Sequence, residues 1–469
     1  MSRRRKPELI PEITFTGIAD KGRSVGRDAK GRVVFAEGPA PGDVADVLIT
    51  KKKKGFLMGV PQQYHQYSEA RVEPFCQHYE VCGGCQWQHL SYEAQAYHKQ
   101  KVVEDALLRI GKLEVGEMRP IIAAERTQYY RNKLEFSFSN RRWLTREEID
   151  SEVSNLENVL GFHRAGAFDK VVDISHCWLQ EDPSNALRNG IKRIALQQGL
   201  SFHDSREHEG FLRQVMFRIT AIGEILVLMS FHQNDPKRIR PFLDALLAEF
   251  PQATTLFYCI NTKLNDYLFD LDMVLYHGKG YVEEALGPVR FKVGPKSFFQ
   301  TNTYQAKTLY DVAVEFAGLQ GTENVYDLYT GIGSIALYMA HNCRQVVGIE
   351  EIPEAITDAR ENAALNGITN ATFYAGDVKD ILTTEFAERH GKPDVLITDP
   401  PRAGMHPKVV ELLLQLEAPR IVYVSCNPAT QARDLLLLSE KYQVLKSQPV
   451  DMFPHTHHIE NVALLELKG

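Results

Sequence analysis

Arg420-Ile421-Val422-Tyr423-Val424-Ser425-Cys426-Asn427-Pro428 joins a strand to a thiol and the thiol to a helix start. Residues 421–424 are apolar and mostly β-branched, the composition of a strand buried on both faces. Asn427 is a good cap and Pro428 a good first helical residue. A helix opening there points its positive end at Cys426, which predicts a thiol biased towards thiolate, the nucleophilic form. A small buried residue at a strand end is the plainer reading of a lone cysteine. The surrounding chain argues for more.

Four further strand-like runs, 324–328, 345–349, 371–374 and 394–397, precede it, with helical patterns such as 354–366 between them. That alternation predicts a parallel sheet with helices on both faces. Residues 442–448 and 462–468 read as added antiparallel strands. In such sheets ligands sit beyond the carboxyl ends of the strands, so the loops are read together. The first is Asp327-Leu328-Tyr329-Thr330-Gly331-Ile332-Gly333-Ser334, a glycine turn that lets a ligand approach the backbone but lacks the third glycine of the dinucleotide fingerprint. The second ends in Glu350, placed to accept hydrogen bonds from a ribose, and the third in Gly376-Asp377. Together they predict an adenosine-type cofactor held at ribose and base. In the fourth, Asp399-Pro400-Pro401-Arg402, two prolines stiffen the loop and fix Asp399 near Cys426. In Phe453-Pro454-His455-Thr456-His457-His458-Ile459-Glu460, three histidines and an acid suit zinc, a minor reading in a strand-linking loop.

The 469 residues, 44% hydrophobic and 24% charged, have the composition of a soluble protein of about three domains. The net charge of −6 hides an asymmetry: residues 1–66 carry 13 lysines and arginines against 7 acids. A basic arm (Arg3, Arg4, Arg5, Lys6) and the run Lys51 to Lys54 supply most of it, a pattern that suits phosphate contact. Short strands at 13–17, 32–36, 44–50 and 56–60 between turn signals predict a small OB-like β-barrel. The expected division is a barrel over 1–66, a central α+β region over 67–287 and a Rossmann-like α/β domain over 288–469. Residues 91–111 read as one helix that packs on the catalytic domain, and 144–158 as a charged surface insertion.

No apolar stretch follows the basic N-terminus and none approaches a membrane span, so a cytoplasmic protein with reduced thiols is expected. Of the seven cysteines, Cys76, Cys82 and Cys85 are close in sequence, and Gly83-Gly84 allows two sulfurs to converge. Cys177 is the candidate fourth donor. Such a set suits tetrahedral zinc or an iron–sulfur cluster.

Several of these pieces resemble the RNA uridine-C5 methyltransferase family, which uses S-adenosylmethionine. They are Ser297-Phe298-Phe299-Gln300-Thr301-Asn302, the Asp327–Gly333 loop, Asp399-Pro400-Pro401-Arg402-Ala403-Gly404, Ser425-Cys426-Asn427-Pro428 and His458-Ile459-Glu460. The cysteine set resembles the [4Fe-4S] site of the family's 23S ribosomal-RNA branch, and the barrel resembles that branch's TRAM domain. The resemblance implies Cys426 as nucleophile and Glu460 as base. It implies Gln300, Tyr329, Ser334, Glu350, Asp377 and Asp399 in the cofactor pocket, and Cys76, Cys82, Cys85 and Cys177 as cluster ligands. The family often has Phe and Asn where this chain has Tyr329 and Ser334. The implied substrate is ribosomal RNA, with transfer RNA second.

The chemistry agrees with those residue types. Uracil C5 is a weak nucleophile until a thiolate adds at C6, and the C5 proton left after methylation needs a general base. The target base must leave its stack, and Phe298 or Phe299 is placed to stack on it. Two other readings compete. An amino-group methyltransferase would use the Asp-Pro-Pro loop but wants an aromatic where Arg402 stands. A non-catalytic RNA-binding scaffold would need neither Cys426 nor Glu460.

Overall fold

A computed structural model describes residues 8–164, 166–167 and 169–469. The arm Arg3, Arg4, Arg5 and Lys6 lies outside them. Five strands, Glu8–Ile18, Ser24–Arg27, Val33–Ala36, Val44–Lys53 and Phe56–Gln66, close into a barrel around Ile13, Phe15, Val34 and Val47. Sequence reading missed Ser24–Arg27, whose four residues include a glycine. Gly26 is required there, because a Cβ would lie 2.5 Å from the Thr14 carbonyl oxygen of the paired strand.

The central region is a seven-stranded sheet in the order Val274–Gly278, Thr255–Ile260, Ile225–Phe231, Leu212–Ile219, Lys133–Arg141, Leu156–His163, Val171–Asp173. Helices Ser184–Gln197 and Pro236–Glu249 pack on one face through Leu187, Ile191, Phe242 and Leu246. The run 144–158 holds a capped helical turn, Arg146–Asp150, and then enters the strand Leu156–His163.

The third body is an eight-stranded sheet ordered Ala371–Ala375, Gln345–Glu350, Asn324–Leu328, Val395–Thr398, Arg420–Ser425, Glu460–Leu467, Tyr442–Val450, Val115–Met118. The first five strands are parallel, Glu460–Leu467 runs antiparallel to both its neighbours, and Val115–Met118 pairs parallel with Tyr442–Val450. Arg420–Ser425 is buried from Ile421 onward, as its apolar run requires. The helix Tyr92–Asp105 continues through one wider turn, Ala106–Ile110. Val103, Ala106, Leu107 and Leu113 share a core with Leu328, Tyr423 and Leu435 on the face of this sheet. Among the described residues no helix is long and apolar enough to cross a membrane.

Candidate active site

The parallel strands end on one edge, where the acidic loops gather. After Leu328, Tyr329 adopts φ 64°, rare for a residue with a side chain, and turns the chain sharply. Gly331, at φ 57°, has open space where a Cβ would sit, so the backbone there is clear for a ligand. Glu350 ties this loop to the next: its Oε2 accepts the Gly331 N–H at 3.0 Å and its Oε1 the Ile352 N–H at 3.1 Å. Each oxygen keeps a lone pair for a hydroxyl. Asp377 caps the helix Val378–Ile381 and is paired with Lys379, which holds its carboxyl below the ordinary range. Ser334 accepts a hydrogen bond from the buried Tyr310 hydroxyl at 3.0 Å. Gln300 is nearly buried, and its carbonyl accepts from Asn132 Nδ2 at 2.9 Å.

Cys426 and Glu460 meet through strand register. The antiparallel ladder ends at the pair Ser425–Asn461, so Cys426 and Glu460 each lie one residue beyond its last rung, close enough for the Glu460 carboxyl to act on the thiol. Glu460 also pairs with Val450 on its other side. Asp399 follows Thr398, which pairs with Tyr423, so the acid sits one strand away from the thiol. Its carboxyl has no hydrogen-bond partner among the described residues. Asn427 accepts the Ala429 N–H at 3.2 Å as the helix Pro428–Leu438 begins, and its Nδ2 donates to the Arg402 carbonyl at 3.0 Å, drawing the Asp399–Arg402 loop against the thiol.

The electrostatics correct one expectation. Burial, with the Glu460 and Asp399 carboxyls beside it, pushes the Cys426 thiol up to about 11, although Arg402 pulls the other way. The helix terminus therefore does not make a resting thiolate. Burial and then Asp327 lift Asp399 to about 7, and burial alone dominates the rise of Asp327 to about 7. Burial and Asp399 raise Glu460 well above the carboxylate range. Asp327 raises Asp399, and Asp399 raises Glu460 and Cys426, while Arg402 offsets only the last two; a cationic ligand fits beside such a chain of acids.

Sequence reading missed the role of Arg402, visible there only as the residue after two prolines. Its guanidinium is the cation that favours ionised Cys426. In the free protein, alkylation of Cys426 is expected to be slow at neutral pH and to accelerate about tenfold per pH unit up to pH about 11. Arg402→Met is expected to slow it further at every pH below that. Mass-spectrometric rates of iodoacetamide labelling at this peptide check both. Of the two aromatics proposed to stack on a base, Phe299 is core, 2% exposed against Phe291, whereas Phe298 is 71% exposed.

Cys76, Cys82, Cys85 and Cys177 line one cavity with His78, His176 and Trp178. Burial pushes all four thiols up, Cys85 to about 12 and Cys177 to about 11. Among the described residues no group of three or more His, Cys, Asp or Glu is arranged to hold a metal ion, so the four thiols share a cavity without forming a closed ligand cage. The histidines at 455, 457 and 458 form no such group either.

A parallel sheet with a glycine turn and acidic loops at its carboxyl edge has the form of a nucleoside-cofactor site. Comparison with known proteins makes the class specific. Residues 202–468 match the tRNA (Uracil-5-)-methyltransferase family and residues 10–61 the TRAM domain. Proteins described as uncharacterized RNA methyltransferases are similar over nearly the full length. The one from Bacteroides thetaiotaomicron is 51% identical over 96% of this chain and 100% of its own, and that from Chlorobaculum tepidum 41% identical over 99% and 97%. The solved tRNA (uracil-54, C5)-methyltransferase of Pyrococcus abyssi, in complex with S-adenosyl-L-homocysteine, superposes with a TM-score of 0.74 at 27% identity, covering 97% of this chain and 98% of that one. The chain belongs to the uracil-5-methyltransferase family and is an S-adenosylmethionine-dependent RNA uracil-C5 methyltransferase with an N-terminal TRAM barrel. That sets aside the amino-group reading and the non-catalytic scaffold.

Proposed function

We propose that the enzyme methylates C5 of a uridine in ribosomal RNA through a transient bond between Cys426 and C6. The observation that supports the covalent route is that Cys426 and Glu460 both lie one residue beyond the last rung, Ser425–Asn461, at the loop edge of the sheet. The Cys426 thiolate adds to C6, and the C5=C6 electron pair moves to C5 and into the C4 carbonyl as an enolate. S-adenosylmethionine, when bound, supplies an electrophilic methyl group that C5 takes up. Glu460 then accepts the C5 proton, the double bond re-forms and the thiolate leaves. Both Cys426 and Glu460 must be ionised for this, and the protein's own charges oppose it apart from Arg402. A positive charge arriving beside Asp399 favours ionisation of both.

Gln300, Tyr329, Ser334, Glu350, Asp377 and Asp399 are the proposed cofactor-pocket residues, with the free lone pairs of Glu350 facing the ribose hydroxyls. In the proposed division of labour, the barrel (1–66) and the central region (67–287) hold RNA phosphates and neighbouring bases, and 288–469 carries the chemistry. The four cysteines are proposed to hold a [4Fe-4S] cluster that plays a structural part. Four sulfur donors and no carboxylate line their cavity, a soft donor set. Neutral buried thiols would have to ionise and close on the metal.

Transfer RNA is the second reading, favoured by the likeness to the Pyrococcus abyssi enzyme. Mapping 5-methyluridine in ribosomal and transfer RNA from a strain lacking the protein decides between them: one ribosomal position is expected to lose its methyl group. Loss confined to transfer RNA overturns the ribosomal assignment. Iron and sulfide are expected in anaerobically purified protein, and stoichiometric zinc instead overturns the cluster.

A further inference from the structure

Glu460 is the first residue of its strand, paired with Val450, and directly follows the connection 451–459. Strand Tyr442–Val450 ends one residue before Asp451, and strand Glu460–Leu467 begins one residue after Ile459. The position of Glu460 therefore depends on what holds residues 451–459. Four consecutive carbonyls of this loop accept hydrogen bonds from outside it. Asn302 Nδ2 donates to Met452 at 2.9 Å, Lys99 Nζ to Phe453 at 3.0 Å and the Tyr130 hydroxyl to Pro454 at 3.0 Å. The backbone amides of Gln86 and Trp87 both donate to His455, at 2.8 and 3.0 Å.

The helix Tyr92–Asp105 supplies the strongest of these holds. Lys99 and Asp451 are both 0% exposed and pair at 2.6 Å, beside the Val450–Glu460 rung. Asp451 also accepts from the Tyr92 hydroxyl at 3.0 Å and from the Phe453 N–H at 3.0 Å. Gln95 accepts the His455 N–H at 2.8 Å, and its amide donates to the carbonyls of Trp87 and Leu90, each at 3.0 Å. His455 itself is held at φ 63°, a conformation that persists only where its surroundings fix it. A buried ion pair is a poor source of stability, but removing one partner leaves an uncompensated buried charge, so the pair holds Asp451 to Lys99.

We propose that Lys99 and Gln95 are positioning residues for the general base: they fix the 451–459 loop and through it the carboxyl of Glu460. The inference rests on the assignment of Glu460 made above. It assigns a task in the reaction to a helix more than 350 residues away in sequence, and it separates the two chemical stages. Addition of Cys426 and methyl transfer do not need Glu460, whereas release of the enzyme from the RNA does. A displaced base therefore leaves enzyme covalently attached to methylated RNA.

The test compares Gln95→Leu and the paired change Lys99→Met with Asp451→Asn, which removes both buried charges together, against Glu460→Gln. All are run with a uridine-containing RNA substrate and S-adenosylmethionine. Each positioning variant is expected to lower kcat about 10²-fold, with KM for RNA little changed, and to accumulate an enzyme–RNA adduct on a denaturing gel. Single-turnover adduct formation is expected to keep close to the unaltered rate. Thermal unfolding identifies a variant that has merely failed to fold, and the other variant then carries the test. If Glu460→Gln accumulates adduct while folded positioning variants lose every step equally, or lose none, the inference is overturned. If Glu460→Gln itself accumulates none, it is the assignment of the base that falls.

Discussion

Cys426→Ala is expected to lower turnover by about 10⁴-fold or more while S-adenosylmethionine still binds. At about 1.4 kcal/mol per factor of ten, the loss corresponds to roughly 5–6 kcal/mol of transition-state stabilisation. The reason lies in the substrate: without a bond at C6, uracil C5 has no carbanion character to offer the methyl group. Cofactor affinity is expected to survive, because the loops at Gly331 and Glu350 that are proposed to hold the ribose are built from other strands. Calorimetry of cofactor binding and radiolabelled methyl transfer to RNA check the two halves. A variant that methylates uridine at a rate comparable to the parent overturns the covalent route.

Glu460→Gln is expected to behave differently. It keeps the size of the side chain but cannot accept the C5 proton. The first half of the reaction proceeds and the second stops, so turnover falls by about 10²–10⁴-fold and a protein–RNA adduct survives denaturation. The change also replaces a buried carboxyl by a neutral amide, which relieves one of the groups that raise Cys426. The thiol is therefore expected to alkylate faster in this variant than in the parent at pH values where the parent's Glu460 is ionised, above the ordinary carboxylate range. Faster labelling together with a trapped adduct is a signature that a general loss of structure does not produce. Slower labelling with no adduct would remove Glu460 from the role.

The parallel sheet was legible because its strands are buried apolar runs, and the loops because acids and glycines follow those runs. The barrel was legible as a pattern of short strands, yet its second strand, Ser24–Arg27, was too short to carry a period. Val115–Met118 was illegible for another reason: it is half exposed and exists as a strand only through pairing with Tyr442–Val450, far along the chain. At the active site the residue types could be read but not their protonation. Asn427-Pro428 announces a helix terminus at Cys426, but burial of the thiol, together with acids from two other strands, pushes it the other way. Lys99 and Gln95 are polar residues within the helix expected over 91–111, and only the fold reveals that Asp451 and His455 cover them. The same holds for Phe298 and Phe299, adjacent aromatics whose opposite exposures depend on tertiary packing.

The strand Val115–Met118 has a consequence for how the molecule is made. It is synthesised long before Tyr442–Val450, the neighbour it joins at the sheet edge. Until the last tenth of the polypeptide has left the ribosome, Val103, Leu107 and Leu113 lack the surface that covers them. Non-local closure of this kind is slow, and it leaves apolar side chains and an unpaired edge open to aggregation while the chain waits. Nascent chains cut short before residue 442 are therefore expected to be held by chaperones, and to be released once the C-terminal hairpin is complete.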